Sequence, residues 1–166
     1  MLRKRQPKGR VPDDQSTDAA AAFAAAVAWL SRRDYCCAEL TARLAAKGFE
    51  CGTVAACLED LRARHYLDDE RYARQFVGAH ARRGHGPVRI RHDLSALGLS
   101  SEAAERAIDE HGGWADHARK ARERRFGAQL PGDWDDKARQ SRFLQYRGFS
   151  NDDIRLVMGT DVSADS

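Results

Sequence analysis

The chain has 166 residues, of which 42% are hydrophobic and 32% charged, with a formal net charge of +3 at pH 7. These proportions suit a soluble protein with modest cores, and no stretch of apolar residues is long enough to span a membrane. The small net charge says little about partners; its distribution along the chain says more.

Residues 1–16 carry no apolar periodicity and are predicted to form a flexible basic tail. Arg3-Lys4-Arg5 ahead of the apolar run Ala19 to Leu30 resembles a secretion signal superficially. Asp13, Asp14 and Asp18 interrupt it, and the run is mostly weakly hydrophobic alanine. The run is therefore read as a first helix with Phe23, Val27 and Leu30 on its buried face, and the protein is expected in the cytoplasm.

A second helix follows, striped by Leu40, Leu44 and Ala45, and ends at Gly48-Phe49. A glycine at C′ can take the left-handed conformation, and the accompanying apolar contact joins C″ to C3, here Phe49 to Leu44. The third helix, with Val54 and Leu58, starts after Glu50-Cys51-Gly52-Thr53, a weak N-terminal signal. The four cysteines, Cys36, Cys37, Cys51 and Cys57, form no C-x-x-C pair. Cys51, Cys57 and His65 lack an evident fourth ligand, so the cysteines are read as packed, reduced side chains and no metal or cofactor is expected.

Asp68-Asp69-Glu70 precede a helix carrying Tyr72 and Phe76, where carboxylates favour the positive helix end; a capping role is expected rather than metal or acid–base chemistry. Gly84-His85-Gly86-Pro87 is a turn, with Pro87 suited to a first helical position. It follows a helix rather than a strand, so it is a poor phosphate loop. Ile90, Leu94 and Leu97 stripe the next helix, which ends at Gly98-Leu99, and Ser100 caps the one after. The third cycle contains Phe126, a loop from Gly127 to Gly132 with Leu130-Pro131, then Leu144, Gly148 and Phe149, with Ser150 and Asp153 fitting a capping box. Residues 160–166 are predicted to form another flexible tail.

Leu44-Gly48-Phe49, Leu94-Gly98-Leu99 and Leu144-Gly148-Phe149 recur at intervals of fifty residues. Fixed-period similarity means one unit used repeatedly. The predicted fold is all-α, three tandem three-helix repeats of about 50 residues forming an elongated, curved chain of small bundles. The repeats are placed at 17–66, 67–113 and 114–159.

From Arg71 to His92 there is no acidic residue, and Arg71, Arg74, Arg82, Arg83, Arg89 and Arg91 accumulate. On a helix, Arg71, Arg74 and Arg82 fall within a sector of about 80°, opposite the aromatics. Arg119, Lys120, Arg122, Arg124 and Arg125 form a second cluster, and Arg32-Arg33 align with Arg82-Arg83. Such a run forgoes the i,i+4 ion pairs of an ordinary solvated face. It points to an anionic partner, either polyphosphate or an acidic protein groove. His80, His85 and His92 sit among the arginines and are read as hydrogen-bonding groups. No P-loop, H-E-x-x-H or G-x-S-x-G motif occurs, so no enzymatic activity is expected.

The segment Leu67-Asp68-Asp69-Glu70-Arg71-Tyr72-Ala73, with Phe76-Val77, Arg82-Arg83-Gly84, Gly86-Pro87, Arg89-Ile90, Leu94 and Gly98, resembles the signature of the RecX regulatory family. Leu30-Ser31-Arg32-Arg33-Asp34-Tyr35, Glu39-Leu40 and Lys47-Gly48-Phe49 resemble its first repeat, and Phe143-Leu144 with Arg147-Gly148-Phe149 its third. Gly78, His80 and His85 depart from the residues common there, as does Cys36. The resemblance implies a bacterial, cytosolic modulator of the RecA recombinase, and the chain is expected to be a non-enzymatic monomer. Such a protein binds the RecA nucleoprotein filament on single-stranded DNA and restrains ATP hydrolysis, strand exchange and the co-protease activity behind the SOS response. Direct contact with single- or double-stranded DNA is left open. The contact residues expected are Arg32, Arg33, Arg71, Arg74, Arg82, Arg83, Arg89, Arg91, Arg119, Lys120, Arg122, Arg124 and Arg125.

Two other classes compete. A helix-turn-helix transcription regulator needs a basic recognition helix, whereas the helix after Gly98 carries Glu102, Glu105, Asp109 and Glu110 against Arg106. An α-helical repeat adaptor would favour an exposed apolar concavity over an arginine stripe.

Overall fold

A computed structural model describes residues 16–159; the tails expected at 1–16 and 160–166 lie outside the described residues, Ser16 excepted. Among the described residues there are nine helices and no strand beyond one isolated bridge. Repeat one holds α1 (Ala19–Leu30), α2 (Cys37–Ala46) and α3 (Cys51–Ala63). Repeat two holds α4 (Asp69–Arg82), α5 (Pro87–Ala96) and α6 (Ser101–His111). Repeat three holds α7 (Trp114–Phe126), α8 (Trp134–Tyr146) and α9 (Asn151–Met158). In each repeat the first helix packs on the third. No helix among the described residues is long and apolar enough to cross a membrane.

The glycine stops have the expected geometry in all three repeats. Gly48, Gly98 and Gly148 take φ of 95°, 81° and 87°. The N–H of Phe49, Leu99 and Phe149 donates to the carbonyl of Leu44, Leu94 and Leu144 at 3.2, 3.2 and 3.1 Å. The glycine N–H groups themselves donate to Ala45, Ser95 and Gln145, each at 2.9 Å. These paired bonds are the Schellman motif, which satisfies carbonyls orphaned at a helix end. All six apolar partners of the motif are buried.

The helix that follows each glycine starts differently in repeat one. Ser100 accepts from the Ala103 N–H, and Ser150 forms a complete capping box with Asp153. Glu50 makes no side-chain cap, and there the backbone of Ser16 joins the junction instead. Its N–H donates to the Gly48 carbonyl at 2.8 Å and its carbonyl accepts from the Glu50 N–H at 3.1 Å.

The carboxylates at 68–70 serve structure. Asp68 caps α4 by accepting from the Arg71 N–H at 2.9 Å, and Asp69 accepts from the Cys37 N–H at 2.7 Å. Glu70 pairs with Arg106 at 2.5 Å.

The chain divides into two compact units, residues 16–35 with 39–67, and residues 36–38 with 68–159. The first unit is centred on Ala22, Ala26, Leu40, Leu44 and Leu61, all fully buried. The second contains repeats two and three. One of its cores gathers Cys36, Ala73, Val77, Ile90, Leu94 and Ile108; the other gathers Ala118, Leu144, Phe149, Ile154 and Met158. Trp114 packs against both, so a single side chain links the two bundles.

The turn before α5 also joins them. The Gly86 N–H donates to the Arg147 carbonyl at 2.8 Å and the Val88 N–H to the Gly148 carbonyl at 3.0 Å. This backbone contact is possible because Gly86 and Gly148 have no side chains to separate them. It fixes the end of α4 beside α7 and the end of α8.

Candidate anion-binding interface

Three helix ends bring arginines together in the second unit. Arg82 closes α4 and Arg83 follows it, Arg124 and Arg125 lie in the last turn of α7, and Arg147 follows α8. Arg83, Arg124, Arg125 and Arg147 line an open pocket of about 170 Å³, together with Gly84, Ala121 and Phe143. Gly84 lets the chain approach closely, since a Cβ there would lie 3.3 Å from that of Ala121.

Backbone and aromatic groups hold two of these guanidinium groups. Arg124 donates to the Arg82 carbonyl at 3.0 Å, and Arg147 Nη1 lies 3.5 Å from the Arg83 carbonyl. The Arg147 guanidinium also sits over the Phe143 ring, 5.2 Å from its centroid. None of the five arginines has a carboxylate ion-pair partner among the described residues. Carbonyls orient a cation without cancelling its charge, so the cluster keeps bidentate donors for an external phosphate or carboxylate.

The other expected contact residues are placed differently. Arg32, Lys120 and Arg74 are exposed, and Arg71 is half-buried. Arg33 makes a bidentate pair with Glu39 and lies 3.6 Å above the Tyr35 ring. Arg74 stands 3.9 Å from Glu70, Arg89 stands 3.6 Å from Asp93, and Arg119 pairs with Asp116 at 2.5 Å. Arg91 forms a bidentate bridge to Glu105, one arm of which measures 2.8 Å. That hydrogen bonding raises the arginine and holds the Glu105 carboxyl below its usual range. The basic run from 71 to 92 is therefore acid-free in sequence but not in space. Asp93 lies four residues along the same helix as Arg89, while Glu105 comes from α6.

Arg122, expected on the contact surface, is instead buried. It is 2% exposed and donates to the carbonyls of Ala128 and Gln129 and to Gln140 Oε1, at 3.1, 2.8 and 3.3 Å. It anchors the loop between α7 and α8 from inside and presents nothing to a partner. Arg147, conversely, stands out in the sequence only within the repeat signature Arg147-Gly148-Phe149. Lys47 stands at the same position of repeat one, but Leu97 stands there in repeat two, so the repeat gives only a partial signal.

The positive cluster also acts on its neighbours. Burial, then the charge of Arg83, pushes His80 below the ordinary histidine range, with Asp93 opposing and Arg89 reinforcing. Burial, then Arg89, His80 and Arg147, does the same to His85, again against Asp93.

Three glycine-closed helical modules define a tandem helical-repeat protein. The chain belongs to the RecX family of regulatory proteins: residues 22–61, 68–108 and 115–158 match the first, second and third three-helix domains of RecX in turn. Regulatory protein RecX of Halorhodospira halophila is 40% identical over 134 residues, covering 80% of this chain and 83% of that protein. The Acidithiobacillus ferrooxidans protein of the same name is 39% identical over 142 residues, covering 86% and 91%. The fold is shared with the crystal structure of RecX from Lactobacillus salivarius, at a TM-score of 0.76 and 19% identity, over 86% of this chain and 95% of that one. A second crystal structure, of regulatory protein RecX, gives a TM-score of 0.72 at 21% identity, over 85% and 71%.

Proposed function

We propose that this protein binds RecA filaments assembled on single-stranded DNA and restrains their ATP hydrolysis, strand exchange and co-protease activity, so modulating repair, recombination and the SOS response. It acts in the cytoplasm as a monomer and without catalysis of its own. Family membership supports the choice of partner. The observation that carries the mechanism is the carboxylate-free cluster of Arg83, Arg124, Arg125 and Arg147, with Arg82 exposed beside it in the chain.

Guanidinium groups held in a fixed array bind a row of phosphates or acidic side chains, and their summed charge speeds a salt-sensitive encounter. Arg32 and Lys120 add exposed charge elsewhere on the chain. Several weak contacts carried by linked modules reinforce one another through effective concentration. Arg33, Arg74, Arg89, Arg91 and Arg119 take part after exchanging an acidic partner for the filament, which lowers their net gain.

The test reverses charge where side chains face solvent. Arg82→Glu with Arg83→Glu leaves in place the backbone carbonyls that Arg124 and Arg147 contact. In a titration of DNA-stimulated RecA ATPase, the folded double variant is expected to need at least ~10-fold more protein for half-inhibition, from losing two charge-assisted contacts. Unchanged inhibition would remove these two arginines from the interface.

A further inference from the structure

Two histidines and an aspartate converge where α4 ends and α5 begins. His80 Nδ1 lies 3.1 Å from His85 Nδ1 and 3.9 Å from Asp93 Oδ2, and the ligand atoms of all three fall within 4.8 Å of one another. The Phe76 ring stacks on His80 with centroids 3.9 Å apart, fixing one face of that imidazole. The His85 N–H donates to the His80 carbonyl at 3.1 Å, so the backbone holds the two rings on one side of the turn.

We infer that His80, His85 and Asp93 form a binding site for a divalent transition-metal ion, with two imidazole nitrogens and one carboxylate oxygen as ligands. Zinc–nitrogen and zinc–oxygen bonds of about 2.0–2.2 Å in a tetrahedron place ligand atoms about 3.3 Å apart. The separations of 3.1 and 3.9 Å bracket that value, so small side-chain rotations bring three donors onto one ion. Two imidazoles with a carboxylate suit zinc, cobalt, nickel or ferrous iron, whereas magnesium and calcium require oxygen ligands. Three protein ligands leave a position for water or for a group from outside the chain.

One contact works against the ion. Arg89 Nε stands 3.6 Å from Asp93 Oδ2 and must release that oxygen for the metal to take it. Removing the guanidinium should therefore tighten binding, an effect a merely structural histidine pair would not produce. The site stands apart from the proposed RecA contact in its evidence, which is ligand geometry alone. It is adjacent in space, because the turn it would fasten carries Gly86, whose N–H holds the Arg147 carbonyl.

The experiment titrates metal-stripped full-length protein with Co²⁺ at neutral pH, followed by competition with Zn²⁺. One equivalent is expected, with visible absorption bands lacking the thiolate charge-transfer intensity that cysteine ligands would add. Affinity should fall at least ~10-fold in His85→Ala and in Asp93→Asn, and rise in Arg89→Gln. Far-UV circular dichroism establishes that each variant is folded; His80→Ala removes a partly buried ring, so the other two carry the decision. An absence of saturable binding at millimolar Co²⁺ would overturn the site and leave the pair as two neutral rings sharing one proton. One-equivalent binding that persists in both His85→Ala and Asp93→Asn would overturn it as well.

Discussion

Replacing Gly86 by alanine is expected to cost about 3–5 kcal/mol in urea unfolding of the second unit. The new Cβ would stand 2.3 Å from the Gly148 carbonyl oxygen and 2.4 Å from both its carbon and the Phe149 nitrogen. All three are backbone atoms and cannot rotate aside. Relief requires moving the turn off repeat three, which lengthens the Gly86–Arg147 and Val88–Gly148 hydrogen bonds together. Gly148 is exposed to the converse clash, with a Cβ 2.5 Å from that of Arg89 and a φ of 87° that alanine resists.

Gly48 supplies the control. It occupies the same position in repeat one and has a φ of 95°, but nothing lies within 4 Å of its would-be Cβ. Alanine there carries only the left-handed backbone penalty of about 1–2 kcal/mol. Equal destabilisation by Gly86→Ala and Gly48→Ala would show that the glycine contact does not join repeats two and three.

The second large effect concerns Arg122. Truncation to alanine is expected to destabilise by about 3 kcal/mol, because it removes the donors to Ala128, Gln129 and Gln140 and empties a buried volume. The loop from 127 to 132 should become sensitive to protease, while inhibition of RecA per folded molecule stays unchanged. Arg125→Ala, at an exposed arginine of the pocket, should behave in the opposite way, leaving the melting temperature nearly unchanged and weakening inhibition. Thermal melts and limited proteolysis of the two variants decide the matter. A stable Arg122→Ala with weakened inhibition would return Arg122 to the interface.

These contrasts mark where sequence reading works. The helix stops were legible because each Schellman motif is confined to six residues, so Leu44, Gly48 and Phe49 specify it locally and the fifty-residue recurrence repeats the signal. Ser100 and Ser150 were legible for the same reason. The surface charge was less so. A run without acids at 71–92 gives no sign that Glu105, on another helix, will meet Arg91. Charge along the chain likewise groups Arg122 with exposed arginines, because its partners lie in a loop and at Gln140, on the next helix. The pairing of Gly86 with Gly148 spans two repeats, and Arg147 joins the cluster only once that contact forms. Local backbone chemistry was therefore readable, whereas side-chain neutralisation depended on tertiary placement.

The most direct measurement is co-sedimentation with RecA filaments on single-stranded DNA, set against DNA alone and RecA alone. Filament binding through the arginine cluster requires strongest pelleting with the filament, reduced by added salt and by the folded Arg83→Glu, Arg124→Glu variant. Pelleting with the filament no stronger than with either component, or pelleting indifferent to both salt and charge reversal, would contradict it.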